Sequence, residues 1–232
     1  NNQAAFAEKR LLWHGLRHLQ IQPDFLREED VEEGKLKNYK VLYITDRCIT
    51  RKASEAIDKW VKAGGILYLA AGAATRDEFY ESYTPPFSKI VFGENAANNL
   101  VNEQHNYNER VDLPKIKPLT NVTVNLNQQT FNLPAIGSRL NLSEGGGKFA
   151  TFADGKTAGT IVNYGNGQII AVGFMPMLAY GQLANFKPTT LEEKWTPEPR
   201  AIIKIPLETA KIIPAIETNV PVVETSLLTG GE

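Results

Sequence analysis

The chain has 232 residues, 42% of them hydrophobic and 22% charged, enough for one large domain, or a domain with an appendage, around a sizeable core. Its 25 basic and 26 acidic residues leave a net charge of -1, so no global field draws it to nucleic acid or to an anionic membrane. No apolar run reaches the roughly 20 residues of a membrane-spanning helix, and the single cysteine, Cys48, excludes an internal disulfide framework and any multi-cysteine zinc site.

Ala4 to Leu19 reads as a helix, with Ala5, Leu12, Leu16 and Leu19 on one face and Trp13 beside it. His14 and His18 sit one turn apart, a spacing that can chelate a metal. The residues between them, Gly-Leu-Arg, lack the glutamate of a zinc-protease helix, and the only other histidine is His105, so neither a metal site nor a cofactor is assigned. Pro23 permits a short extended piece, Gln22 to Arg27. The carboxylates Glu28, Glu29, Asp30, Glu32 and Glu33 then run to Gly34. Adjacent residues point in different directions, so these read as a solvated turn with a short helix rather than an acid/base cluster.

Val41 to Thr45 is a short apolar run, rich in β-branched and aromatic residues, as a strand buried on both faces requires. Thr50 can cap a helix whose apolar stripe is Ala53, Ala56, Ile57, Trp60 and Val61. Gly64-Gly65 stops that helix, and Ile66 to Ala71 is a second apolar strand. Strand, helix and strand in about thirty residues make a βαβ unit with parallel strands and a right-handed crossover. A doubly wound domain normally opens with a strand, whereas this chain opens with a helix. The expectation is a fragment whose first strand lies upstream in a longer protein.

Phe79 to Asp112 reads as a long, partly helical connection. From Lys115 the signal is β: Val122 to Leu126, Phe131 to Leu142 and Phe149 to Phe152, with turns at Gly145 to Gly147 and at Asp154-Gly155. Thr157 to Tyr164 and Gln168 to Phe174 flank Gly165-Asn166-Gly167 as a tight hairpin. The fold class is therefore α/β, a parallel core with an antiparallel section. We expect a domain over residues 1–184, with a β-rich insertion at about 115–152. A proline-rich extension, 185–232, would lead to a further domain. It holds one helix at about Glu198 to Ile212, kinked at Pro206, and a strand at Val220 to Leu228.

Open α/β sheets bind ligands at the carboxyl ends of their strands. That edge carries Asp46, Arg47 and Cys48 after the first strand and Arg76, Asp77 and Glu78 after the second. Cys48, Asp77 and Glu78 are the catalytic candidates, and Asp46, Arg47, Arg76 and Asp77 the ligand-binding ones. The competing reading is that the charges anchor the following loop through ion pairs. A nucleophilic cysteine would need a base to lower its pKa, and no histidine partner is evident. The turn Ala70-Ala71-Gly72-Ala73-Ala74 occupies the place where related folds put a G-x-S-x-G or G-x-C-x-G nucleophile elbow, and holds no nucleophile.

Two passages carry a resemblance. Lys35 to Glu78 has the order L-x-x-Y-K-x-L, apolar strand, helix, V-x-x-G-G, strand, small-residue turn and D-E. Ala153 to Pro176 has G-K-x-A and Y-G-x-G pieces. Together they resemble the amidotransferase-like trimerisation domain of family 42 β-galactosidases. The resemblance implies a flavodoxin-like three-layer sandwich with a mostly parallel sheet, which usually lacks catalysis and helps assembly or borders a neighbouring active site. It transfers no catalytic residue, because the acid/base pair of those enzymes lies in a separate barrel.

The leading expectation is a non-catalytic structural or assembly module of a larger, exported, glycan-related bacterial protein. Its partners would be other domains of that protein, a second copy of itself, or a glycan. The setting would be periplasmic or extracellular, with a cytoplasmic one left open. The alternatives are a hydrolase or amidotransferase-like enzyme at the carboxyl edge, or a carbohydrate-binding module that stacks sugars on Phe79, Tyr80, Tyr83, Phe87 and Tyr107.

Overall fold

The computed structural model describes residues 3–102, 113–184, 194–219 and 222–226. Helix α1 (Gln3–His18) turns Ala5, Leu12 and Leu16 inward on the spacing read from the sequence. Residues 21–27 form a strap without regular secondary structure, leading to the short α2 (Glu28–Glu32). Strand β1 (Val41–Ile44), helix α3 (Arg51–Lys62) and strand β2 (Ile66–Leu69) then form the anticipated βαβ unit, parallel and with Val41 opposite Ile66. The Thr50 hydroxyl accepts the Ala53 amide at 3.1 Å and so caps α3. Ala53, Ile57 and Val61 are buried along its stripe. At the far end Gly64 has φ +124°, and the Trp60 ring lies where a Gly65 Cβ would stand, so both glycines are required.

The connection after β2 contains α4 (Pro86–Phe92), α5 (Ala96–Asn99) and β3 (Val101–Asn102). The β section supplies β4 (Thr120–Leu126), β5 (Gln129–Ala135), β6 (Ser138–Arg139), β7 (Gly147–Phe152), β8 (Thr157–Tyr164) and β9 (Gly167–Val172). Helices α6 (Pro176–Ala184) and α7 (Pro197–Thr209) follow. Seven strands make one sheet in the order β1-β2-β9-β8-β7-β4-β5, while β3 and β6 pair separately. Pairing is parallel from β1 through β2 to β9 and antiparallel from there to β5. The parallel core and the antiparallel section are thus one continuous sheet, joined by the two-residue hairpin at Gly165-Asn166.

Helices cover both faces, which gives three layers. On one face α1, α6 and α7 bury Leu11, Tyr180, Ile202 and Ile203 against Tyr68 and Ile170. On the other, α3 and α4 bury Ile57, Val61 and Phe87 against Leu67, Leu69 and Ile169. Because α7 lies beyond residue 184, part of the expected extension packs into the main core. The Tyr43 hydroxyl donates to the Ile203 carbonyl at 2.8 Å, in the turn of α7 that precedes Pro206.

Three expectations are revised. Val41 to Ile44 is half-buried at every position rather than buried on both faces, because β1 is an edge strand. The described part of the expected last strand, Val222 to Ser226, has no strand structure. It lies against the end of α1, where Arg17 donates to the Thr225 carbonyl at 2.6 Å and Gln20 to the Val223 carbonyl. Phe87, expected in a sugar-stacking cluster, is a core residue. His105 and Tyr107 lie outside the described residues. Among the described residues no helix is long and apolar enough to cross a membrane.

Candidate functional site

The loops that leave β1 and β2 run side by side at the carboxyl edge. Ala74 N donates to the Asp46 carbonyl at 2.9 Å, Arg76 N to the Arg47 carbonyl at 3.0 Å, and Ile49 N returns to the Arg76 carbonyl at 2.9 Å. The fold therefore brings the six candidate residues to one edge, as open-sheet topology predicts. The side chains of the five charged ones, however, are engaged with the protein itself.

Asp46 forms an ion pair with Lys9 of α1 at 2.7 Å. Arg47 reaches the small sheet, donating to the Asn102 side-chain carbonyl and to the Ser138 hydroxyl, and burial lowers its guanidinium pKa. Arg76 donates to the Tyr80 carbonyl at 2.8 Å and lies over the Tyr80 ring at 4.5 Å. Asp77 is buried beneath its loop, where it accepts from Arg51 at 2.8 Å, Phe79 N at 3.1 Å and Glu81 N at 2.9 Å. Burial opposes ionisation there, but Arg51 and the two amides win and hold the carboxyl below its usual range. Glu78 accepts the Arg51 amide at 3.1 Å in the first turn of α3.

Cys48 is exposed, and burial of its surroundings pushes the thiol up against the pull of Arg76. That is the opposite of an activated nucleophile. In the turn after β2, Ala70, Ala71, Ala73 and Ala74 are fully buried. The Leu100 side chain fills the space a Cβ on Gly72 would need, so apolar packing occupies the elbow position.

The remaining sequence candidates are also placed. His18 packs edge-on against Tyr180 and Trp195 and hydrogen-bonds the Tyr180 hydroxyl at 2.7 Å. Burial, aided by Arg200, lowers its pKa to about 4. His14 lies 3.6 Å from Glu224. Among the described residues no group of three or more His, Cys, Asp or Glu side chains converges on a metal-sized site. The carboxylates of 28–33 tie α2 to α3: Glu28 accepts the Thr50 amide at 2.6 Å and Glu32 its hydroxyl at 2.8 Å. Of the described members of the aromatic cluster, Phe79 and Tyr80 remain 78% and 54% exposed, and Arg76 lies over the Tyr80 ring. Tyr83 is held by the Ser54 hydroxyl at 2.8 Å and by Arg51 above its ring.

Two features escaped sequence reasoning. Glu8, within the first helix, is fully buried and accepts the amides of Met177 and Leu178 at the start of α6. Burial pushes its carboxyl up to about 8 despite those donors. The second is a cavity of about 740 Å3 along the free side of β1, walled by α1, the 21–27 strap and residues of α3.

No protein-family model matches the chain, and no curated protein matches it. Solved structures do. A β-galactosidase from Rahnella sp. R3 superimposes with a TM-score of 0.62 at 16% identity, over 92% of this chain and 28% of that one. The β-galactosidase from Bacillus circulans sp. alkalophilus gives 0.60 at 17%, over 95% and 29%. A cytoplasmic protein from Salmonella typhimurium gives 0.51 at 14%, over 86% and 85%. The chain spans less than a third of the length of the β-galactosidases it matches. At these identities the likeness establishes the fold, shared with one part of those proteins.

Proposed function

We propose that this chain is a non-catalytic structural and assembly module of a larger, glycan-related protein. The observation that carries the reading is the carboxyl edge itself. Asp46, Arg47, Arg76, Asp77 and Glu78 are spent on contacts that hold loops and helices together, and the elbow turn is packed with alanine and Leu100. A hydrolytic centre needs convergent groups left available to a substrate. The glycan context is supported by the fold shared with β-galactosidases, of which this chain matches one portion. Such a module acts through contacts with other domains and with copies of itself.

The test is hydrolysis of aryl β-glycosides by the purified chain beside its Cys48→Ala and Glu78→Gln variants. The expected result is no turnover above the buffer blank in any of the three. Turnover by the parent chain that either substitution abolishes would overturn the reading.

A further inference from the structure

The main sheet has two edges, and they are finished differently. The free side of β1 stands behind the 21–27 strap, whereas among the described residues no strand pairs with the free side of β5. The direction of each peptide group along β5 follows from the ladder, because in an antiparallel pair successive residues face alternate neighbours. Ala153 N donates to the Asn121 carbonyl at 3.0 Å, so Asn121 and Thr123 face β7, and Val122, Val124 and Leu126 face β5. Their partners Leu133, Phe131 and Gln129 turn inward to β4. Thr130, Asn132 and Pro134 therefore turn their backbone groups outward.

That edge lacks the devices that keep sheets apart. Natural edge strands are kept short, bulged or charged, above all with lysine. Strand β5 holds an unbroken register with β4 over seven pairs, from Thr120 opposite Ala135 to Leu126 opposite Gln129. Residues 118–138 contain no charged side chain, in a chain that is 22% charged. The one blunting feature is Pro134, which offers no amide and ends the usable edge there. The exposed side chains of Thr130 and Asn132 are satisfied within the hairpin: Thr130 donates to Asn125 at 2.7 Å, and Asn132 accepts from Thr123 at 2.8 Å. Their main-chain groups are what the edge offers to a partner.

Neutrality and symmetry select that partner. A strand that pairs antiparallel with its own copy sets each side chain close to an identical strand, so a charged edge would repel itself. An uncharged edge does not. With the two-fold axis at Phe131, Thr130 lies opposite Asn132 of the second copy, and Asn132 opposite Thr130 of the second copy. Four N–H···O=C bonds then use every outward donor and acceptor of Thr130 and Asn132, while Pro134 falls outside the ladder. Phe131 meets Phe131 of the second copy in a non-hydrogen-bonded pair, where side chains approach most closely. Its ring is half-buried beside the buried Leu133 and has surface left to cover.

We propose that two copies of this chain pair through β5, antiparallel across a two-fold axis at Phe131, and so join their sheets into one. The inference rests on the assembly reading above and names its surface. An isologous contact of this kind closes at two copies, because each has then used its open edge.

The test is light-scattering mass after size exclusion, over a concentration series, for the parent chain and three variants. Asn132→Pro removes an amide that faces outward and leaves the β4–β5 ladder whole. The double variant T130K/N132K sets lysine opposite lysine in both cross-strand pairs, and T130K/N132E sets lysine opposite glutamate. Far-UV circular dichroism reports the fold of each. The expected result is a two-chain mass for the parent and for T130K/N132E, with association at least about tenfold weaker in Asn132→Pro and in T130K/N132K. A parent dimer that both of these variants retain overturns the proposal and leaves the assembly reading standing, and so does a parent mass of three chains. A single-chain mass for the parent at every concentration overturns both. If Asn132→Pro loses the parent's circular dichroism, the two lysine variants decide: equal association in both overturns the pairing.

Discussion

Glu8 of α1 and Leu178 of α6 are joined by a 2.7 Å hydrogen bond, in which a fully buried carboxylate accepts an amide that opens the second helix. Met177 N donates to the other carboxylate oxygen at 3.1 Å. One side chain thus satisfies two of the orphan donors at a helix start and fixes α6 against α1.

That carboxyl carries a pH signature. Its pKa is about 8 in the folded chain and 4.5 in a solvated one, so between those values the folded state binds more protons. Stability from this group is full below 4.5 and is lost as pH rises toward 8. His18 works the other way: its pKa falls from 6.5 to about 4, so its contribution is present above 6.5 and is lost on acidification. The urea midpoint should therefore fall as pH rises from 6.5 toward 8, and Glu8→Gln should flatten that fall. Glu8→Ala, which strands both amides, should cost about 1–3 kcal/mol at pH 6. An identical pH dependence in parent and Glu8→Gln chains would contradict the assignment.

Asp77 anchors the loop that follows β2 through two amides as well as Arg51. Asp77→Ala should lower the urea midpoint more than Arg51→Ala does, since the arginine's partner would still hold the loop. Limited proteolysis should cut between residues 77 and 84 in the aspartate variant first. Equal effects would mean that the ion pair alone carries the anchoring.

Cys48 should behave as an unactivated thiol. Its alkylation by iodoacetamide should be slow at pH 7 and should rise only above the ordinary thiol range, because burial raises its pKa. A rate plateau reached below pH 7 would reveal a thiolate stabilised by a partner and reopen the case for nucleophilic chemistry.

The parts of this fold that rest on local periodicity were readable in advance. The Thr50 cap, the Ala53–Ile57–Val61 stripe and the Gly165-Asn166 hairpin all fall where residue type and spacing put them. The convergence of Asp46, Arg47 and Cys48 with Arg76, Asp77 and Glu78 also followed from the βαβ reading. What their side chains touch did not, because Lys9, Asn102 and Ser138 arrive from elements distant in sequence. Glu8 was invisible for the same reason: a glutamate amid helix formers looks solvent-facing until α6 is seen to begin on it. Strand β1 misled in the opposite sense. Its apolar run fits a central strand, but in the sheet it is the edge strand and stays half-buried.

The measurement that most directly tests the proposed assembly role is the light-scattering mass of the chain after size exclusion, across a concentration series. The account predicts a discrete dimer or trimer that persists on dilution through the micromolar range. The mass of a single chain at the highest concentration reached would contradict it.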